Sequence, residues 1–180
     1  MKRFDRTALR RFASAALTVL ARPSEGWSRT TRPACDVKPI VNELLANWAR
    51  SLARSSGTGD PKYIVETYEK DSAVLLPTRA NGPLIGRVNI TRYFTDFIKD
   101  KPVVEIDRED AKIGGVGGIA AFASGIYTFK MNGGTGPQLR ARYTFIYQLG
   151  NAGGGLIVQH HSSWEPVPAS GVPGTECATR

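Results

Sequence analysis

Between residues 37 and 99 the apolar positions of this chain recur every three to four residues, and after Pro102 they recur every two. The first spacing predicts helices. Ile40, Val41, Leu44, Leu45, Trp48 and Leu52 fall on one side of a helix over 37–55, with Pro39 tolerated in its first turn. Gly57-Thr58-Gly59 stops it, and Asp60-Pro61 opens a short helix over 61–70 that carries Ile64, Val65 and Tyr68. Residues 73–77 read as a short buried strand, followed by a loop with Asn81-Gly82-Pro83. Ile90, Tyr93, Phe94, Phe97 and Ile98 mark a third helix over 87–99 with an apolar face. The second spacing predicts strands over 103–113, 119–131, 139–149 and 156–165. Glycine-rich turns at 114–118 and before Leu156, and the hairpin signal Asn132-Gly133-Gly134, join them. Helices first and antiparallel strands afterwards predict an α+β fold, a curved antiparallel sheet wrapped around three N-terminal helices.

Charge sharpens the domain boundaries. The net charge of +8 would suit a nucleic-acid binder, but residues 1–34 hold eight Lys/Arg and two acids, leaving sixteen basic and fourteen acidic groups for the other 146 residues. The basic character therefore belongs to a leader, and the body has no electrostatic footprint for DNA or RNA. The leader has a basic start to Arg11 and a short apolar run from Phe12 to Ala21. That pattern suits a secretory signal, and with it a secreted or periplasmic protein after leader removal. Its Arg-rich, acid-poor character also suits an organellar transit peptide, and a plain tail on a cytoplasmic protein is the third reading. Residues 35–166 form the expected domain and 167–180, rich in Pro, Gly, Ser and Thr, a loose tail. Cys35 and Cys177 either bridge the two ends of an exported domain or are unrelated thiols. No apolar run is long enough to span a bilayer.

Candidate chemistry concentrates on the last two strands, which carry an arginine pair and both histidines of the protein. A polar group buried without partners costs about 2–7 kcal/mol, so these residues either satisfy one another or line a cavity. Strand alternation places Arg140, Arg142, Thr144 and Ile146 on one face and Ala141, Tyr143, Phe145 and Tyr147 on the other. It likewise groups Val158, His160, Ser162 and Trp164 against Gln159, His161 and Ser163. The two histidines thus point to opposite faces and cannot share one metal; no metal site is expected. His160 has the chemistry of a general base near neutral pH, and equally that of a core histidine hydrogen-bonded to its neighbours. No Gly-x-Ser-x-Gly elbow is present, which removes one hydrolase class.

The order of elements, together with Tyr68–Pro77, Gly86 before the aromatic Ile90–Phe97 helix, Ala141-Arg142-Tyr143-Thr144 and His160-His161-Ser162-Ser163 before Pro166, resembles the nuclear transport factor 2-like superfamily. Within it the chain is most similar to the association (hub) domain of calcium/calmodulin-dependent protein kinase II and its stand-alone bacterial relatives. The resemblance implies a cone with a pocket, and self-association. It does not imply kinase activity, because the chain lacks a glycine-rich nucleotide loop and the catalytic-loop and metal-binding aspartate motifs. In the hubs the arginine matching Arg142 points into the pocket. Carried over, that implies a ligand site of Arg142, Thr144, His160 and Ser162, joined by Tyr127. It would leave Tyr143, Phe145, Tyr147 and His161 as the oligomer surface. Further hub arginines are matched here by Tyr127 and Ser162, so one guanidinium remains to grip a carboxylated or aromatic small molecule. Alternatively Arg142 forms a buried ion pair with Glu105 or Asp107.

Two expectations follow. The first is a non-enzymatic oligomerising domain, a dimer or larger, with a small-molecule pocket and no cofactor. The second is an enzyme similar to SnoaL-like cyclases or ketosteroid isomerases, with His160 and Tyr127 as catalytic residues beside Arg142 and Asp107.

Overall fold

The computed structural model describes residues 36–107, 111–150 and 154–166. The first described element is α1 (Lys38–Thr58), whose buried apolar residues Val41, Leu45, Trp48 and Leu52 are four of the six that the apolar spacing marks, with Ile40 and Leu44 half-buried. It runs past Gly57 and stops at Gly59, which takes the left-handed conformation (φ 73°) and returns its N–H to the Ser55 carbonyl. A single turn, α2 (Lys62–Val65), follows, with Asp60 Oδ1 accepting the Lys62 N–H. The predicted helix over 61–70 is cut to this turn because Tyr68 and Glu69 leave it to bond the last strand, Glu69 N–H donating to the Ile157 carbonyl. Then come β1 (Val74–Leu76), β2 (Leu84–Ile85) and α3 (Gly86–Phe97), extended by a 3₁₀ turn at Ile98–Asp100. Strands β3 (Val103–Ile106), β4 (Lys112–Val116), β5 (Ala120–Lys130), β6 (Gln138–Leu149) and β7 (Gly155–Trp164) complete the α+β fold.

Among the described residues the sheet runs β2-β1-β7-β6-β5-β3, with β4 beside β3 on the same edge of β5. It is curved and unclosed. All neighbours are antiparallel except β1, which lies parallel to β7. The single strand expected over 103–113 is two, and the expected turn at 114–118 is partly strand. Gly114 belongs to β4 because the Phe122 ring lies where its side chain would be, 2.5 Å from an ideal Cβ. The turn moves on to Gly117 and Gly118, both at positive φ.

Side-chain size fixes which face of the sheet is inside. Along the β5–β6 pair Ala121 faces Tyr147, Ala123 faces Phe145, Gly125 faces Tyr143, and then the order inverts, with Tyr127 facing Ala141. Large rings sit opposite small residues, so the aromatic row fits between the sheet and α1. Trp48 of α1 stacks on Tyr127 (5.9 Å) and meets Phe145 edge-on (5.1 Å). No described helix is long and apolar enough to cross a membrane.

Candidate functional site

Six side chains from five segments form one chain of polar contacts inside the cone. Trp48 Nε1–H on α1 donates to Tyr68 Oη at 3.2 Å. Tyr68 Oη lies 2.7 Å from His160 Nδ1, and His160 Nε2 lies 3.3 Å from Tyr127 Oη. Ser162 lies beside Tyr127 and makes a short hydroxyl contact to Thr78, just after β1. The segments meet here because β7 sits between β1 and β6, which places Leu75 beside His160 and Phe145 opposite it. A stacked Phe145 ring (4.1 Å) and an edge-on Trp48 ring (5.4 Å) close the imidazole in.

The proton positions follow from satisfying every donor. Indole N–H can only donate, so Tyr68 accepts from Trp48 and has its own hydrogen left for His160 Nδ1. Nδ1 is then the acceptor and Nε2 carries the imidazole hydrogen, which goes to Tyr127. The reverse arrangement leaves the Tyr68 hydroxyl hydrogen without an acceptor in the core. Burial, with the neighbouring His161 adding to it, pushes the His160 pKa down to about 3, so the imidazole is neutral. Burial likewise raises the Tyr68 and Tyr127 phenols above their ordinary range.

A cleft reaches this chain of contacts. Its walls are Trp48, Leu75, Pro77, Thr78, Arg79, Tyr93, Phe94, Phe97, Tyr127, Phe129, Leu139, His160, Ser162 and Trp164. Its cavity volume is about 20 Å³. That admits about one water molecule, against the roughly 300 Å³ or more of a drug-sized ligand site. A wider vestibule of about 280 Å³ adjoins it along Arg79, Tyr93 and Phe97. Its charges are paired: Arg79 bonds Asp100 at 2.5 Å and Lys99 bonds Asp96 at 2.7 Å.

The structure gathers Tyr127, His160 and Ser162, as expected, and separates Arg142 and Thr144 from them. Arg142 lies on the outer sheet face, exposed, with Nε donating to Ser163 Oγ at 3.2 Å. Thr144 is beside it, bonded to Ser124 at 3.1 Å. The reason is register: His160 pairs with Phe145 and Ser162 with Tyr143, so the histidine shares its face with the aromatic row and not with the arginines. The same fact corrects the expected oligomer surface. Tyr143, Phe145 and Tyr147 are core residues, at most 2% exposed, and only His161 of that set lies outside. The expected Arg142–Glu105 pair is absent, since Glu105 pairs with Lys130 at 2.5 Å. A bulge between Ile146 and Tyr147 also breaks the parity of β7, which buries Ile157 in place of Val158. Cys35, Cys177 and the leader lie outside the described residues. Among the described residues no three His, Cys, Asp or Glu gather as a metal site.

Three members of the polar chain escaped the sequence reading: Trp48, Tyr68 and Thr78. Trp48 and Tyr68 look like ordinary apolar-face residues, and their polar atoms carry no periodic signature. Thr78 directly follows the Leu-Leu-Pro strand, and only the parallel pairing of β1 with β7 brings it to Ser162.

No family model matches the chain, and no curated protein does. Solved structures do. A Xanthomonas campestris protein described as a calcium/calmodulin-dependent protein kinase II association domain shares 33% identity over 74% of this chain and 91% of its own, with a TM-score of 0.63. A nuclear transport factor 2-like protein of Salmonella enterica shares 19% identity over 76% of this chain and 96% of its own, at a TM-score of 0.59. A ketosteroid isomerase-like protein from Erwinia carotovora shares 13% identity over 72% of this chain and 96% of its own, at 0.55, which is a likeness of fold alone. By the first of these the chain belongs to the calcium/calmodulin-dependent protein kinase II association-domain-like family, within the nuclear transport factor 2-like superfamily.

Proposed function

We propose that the chain is a self-associating domain of the association-domain type, with no catalytic role and with its small-molecule site in the wider vestibule along Arg79, Tyr93 and Phe97. The observation that carries this reading is the outer face of β5–β7, which no described helix covers. Phe122 faces Ile146 there, Ser124 faces Thr144, and Ile126 faces Arg142, with Gln159, His161 and Ser163 alongside on β7. Such a mixture of apolar pairs, an arginine and small hydroxyls suits a protein interface. A second copy of this chain is the occupant that the Xanthomonas campestris relative supports, since that protein is described as an association domain.

An isomerase- or dehydratase-like enzyme is the second reading, favoured by the contact between Tyr127 and His160 on the cavity wall and by fold neighbours so described. Two features tell against it. Both imidazole nitrogens are already engaged in the core, and the space beside them admits one water. A base with a pKa of about 3 is also poorly matched to neutral pH.

Sedimentation equilibrium of the full chain at tens of micromolar tests the proposal. A dimer or larger species is expected. A strictly monomeric protein at that concentration, roughly the range in which a standard interface persists, overturns it.

A further inference from the structure

We propose that the self-association of this chain, the reading on which this inference rests, is switched by His161: the neutral imidazole admits a second copy of the chain and the protonated one expels it. Strand register arranges the outer face of the sheet in rows. One row is almost wholly apolar and crosses the sheet as Ile85, Val74, Gln159, Ile146 and Phe122. None of the five is buried, and Ile85 and Phe122 at its two ends are 55% and 37% exposed. The next row is Leu76, His161, Thr144, Ser124 and Lys112. A third holds Ser163, Arg142 and Ile126. An apolar row flanked by polar ones has the layout of an interface core with its rim. His161 follows Gln159 by two residues on β7, beside the middle of the apolar row. A copy that covers the row therefore covers the imidazole as well.

The groups around His161 disfavour a proton there. Its neighbours on β1 are Val74 and Leu76, which are apolar. On β7 they are Gln159 and Ser163, which are neutral. On β6 Thr144 lies opposite, with Ile146 and Arg142 diagonal to it. Arg142 is the one charged group in this set, and it has the same sign as an imidazolium. Lys112 at the end of the row adds another positive charge. The acids of this face stand further off: Glu105 and Glu165 already bond Lys130 and Arg140, and Asp107 follows β3, on the far side of β5 from Arg142. In a separate copy water solvates the charged ring. Between two copies the same charge would lose that water and keep Arg142 beside it. An isologous contact places the same patch on both sides, so both copies meet this cost. The assembled state thus binds fewer protons than separate copies, and it is lost as pH falls through the histidine range. The chain has two histidines, and burial holds the other, His160, uncharged with a pKa of about 3.

Sedimentation equilibrium of the full chain at pH 7.5 and pH 5.5 tests the switch, with circular dichroism at both to follow the fold. Below the histidine range, an interface that excludes the proton loses about tenfold in affinity per pH unit for each histidine. The dissociation constant of the parent is expected to rise about tenfold or more at pH 5.5, and that ratio to shrink to within about twofold in His161→Gln. Each ratio is taken within one variant, so a change in absolute affinity drops out. His161→Arg carries the charge at pH 7.5, and is expected there to associate about tenfold more weakly than His161→Gln. A parent equally assembled at both pH values overturns the switch and leaves association standing. So does a pH ratio that survives in His161→Gln, or an arginine variant as tight as the glutamine one. A parent that is monomeric at pH 7.5 removes the association reading itself, and this inference with it.

Discussion

His160 is 3% exposed and uncharged, and that state has a thermodynamic signature. Its folded pKa is lowered from 6.5 to about 3, first by burial and then by His161. The unfolded chain takes up a proton below pH 6.5 while the folded one does not, so the stability is complete above that pH and is lost as pH falls towards 3. Urea midpoints measured from pH 7 to pH 4 are expected to fall, and to fall less steeply in His160→Phe. That variant also leaves the Tyr68 and Tyr127 hydroxyls short of a partner, at a cost of about 1–3 kcal/mol each. An unaltered pH slope in His160→Phe would show that the loss arises elsewhere. The Tyr147 hydroxyl offers the converse case. It is buried with no hydrogen-bond partner among the described residues. Tyr147→Phe is expected to leave stability unchanged or raise it by up to about 1 kcal/mol, whereas a loss of more than that amount in chemical denaturation would reveal a bond.

At the level of elements, the long strands were the most legible part of the chain. Period-two alternation marks β6 along its length, and β5, β6 and β7 fall within a residue or two of the expected bounds. Shorter pieces were less so, because tertiary bonds decide them: Tyr68 and Glu69 abandon a helix for β7, and Gly114 joins a strand to make room for Phe122. The inward face of β6 was legible too, in two ways. Arg140, Arg142 and Thr144 alternate with Ala141, Tyr143 and Phe145, and burial favours the apolar set. The facing strand supplies Ala121, Ala123 and Gly125 at every second position, the small partners that an aromatic row needs. Carrying the arginine across by resemblance overrode both signals. Gly125→Val tests the size matching, since an ideal Cβ there would stand 2.9 Å from Tyr143 Oη. A loss of about 1–3 kcal/mol is expected from overpacking. Thr128→Val, on the outward face of the same strand, is expected to be close to neutral in the same denaturation assay.

For the whole molecule, the sheet has two unlike faces. The inner one is filled by its own rings and by α1, which leaves a narrow cleft at one end. The outer one keeps Phe122, Ile126, Ile146, Arg142 and His161 uncovered by any described helix. The candidate pocket was only half legible for the same reason that the fold was: parity within a strand can be read along a chain, but register between strands cannot. Whether His160 lines up with Phe145 or with Thr144 depends on the β6–β7 connection and its bulge. The proposed assembly depends on the outer face alone, so a charge placed there should separate protomers without disturbing the core. Light scattering on the full chain and on Ile146→Arg, at matched tens of micromolar and with circular dichroism to confirm an unchanged fold, measures this most directly. The account predicts at least twice the 19.5 kDa chain mass for the parent and a shift towards 19.5 kDa for the variant. A parent that stays at one chain mass, or a folded variant that assembles as the parent does, would contradict it.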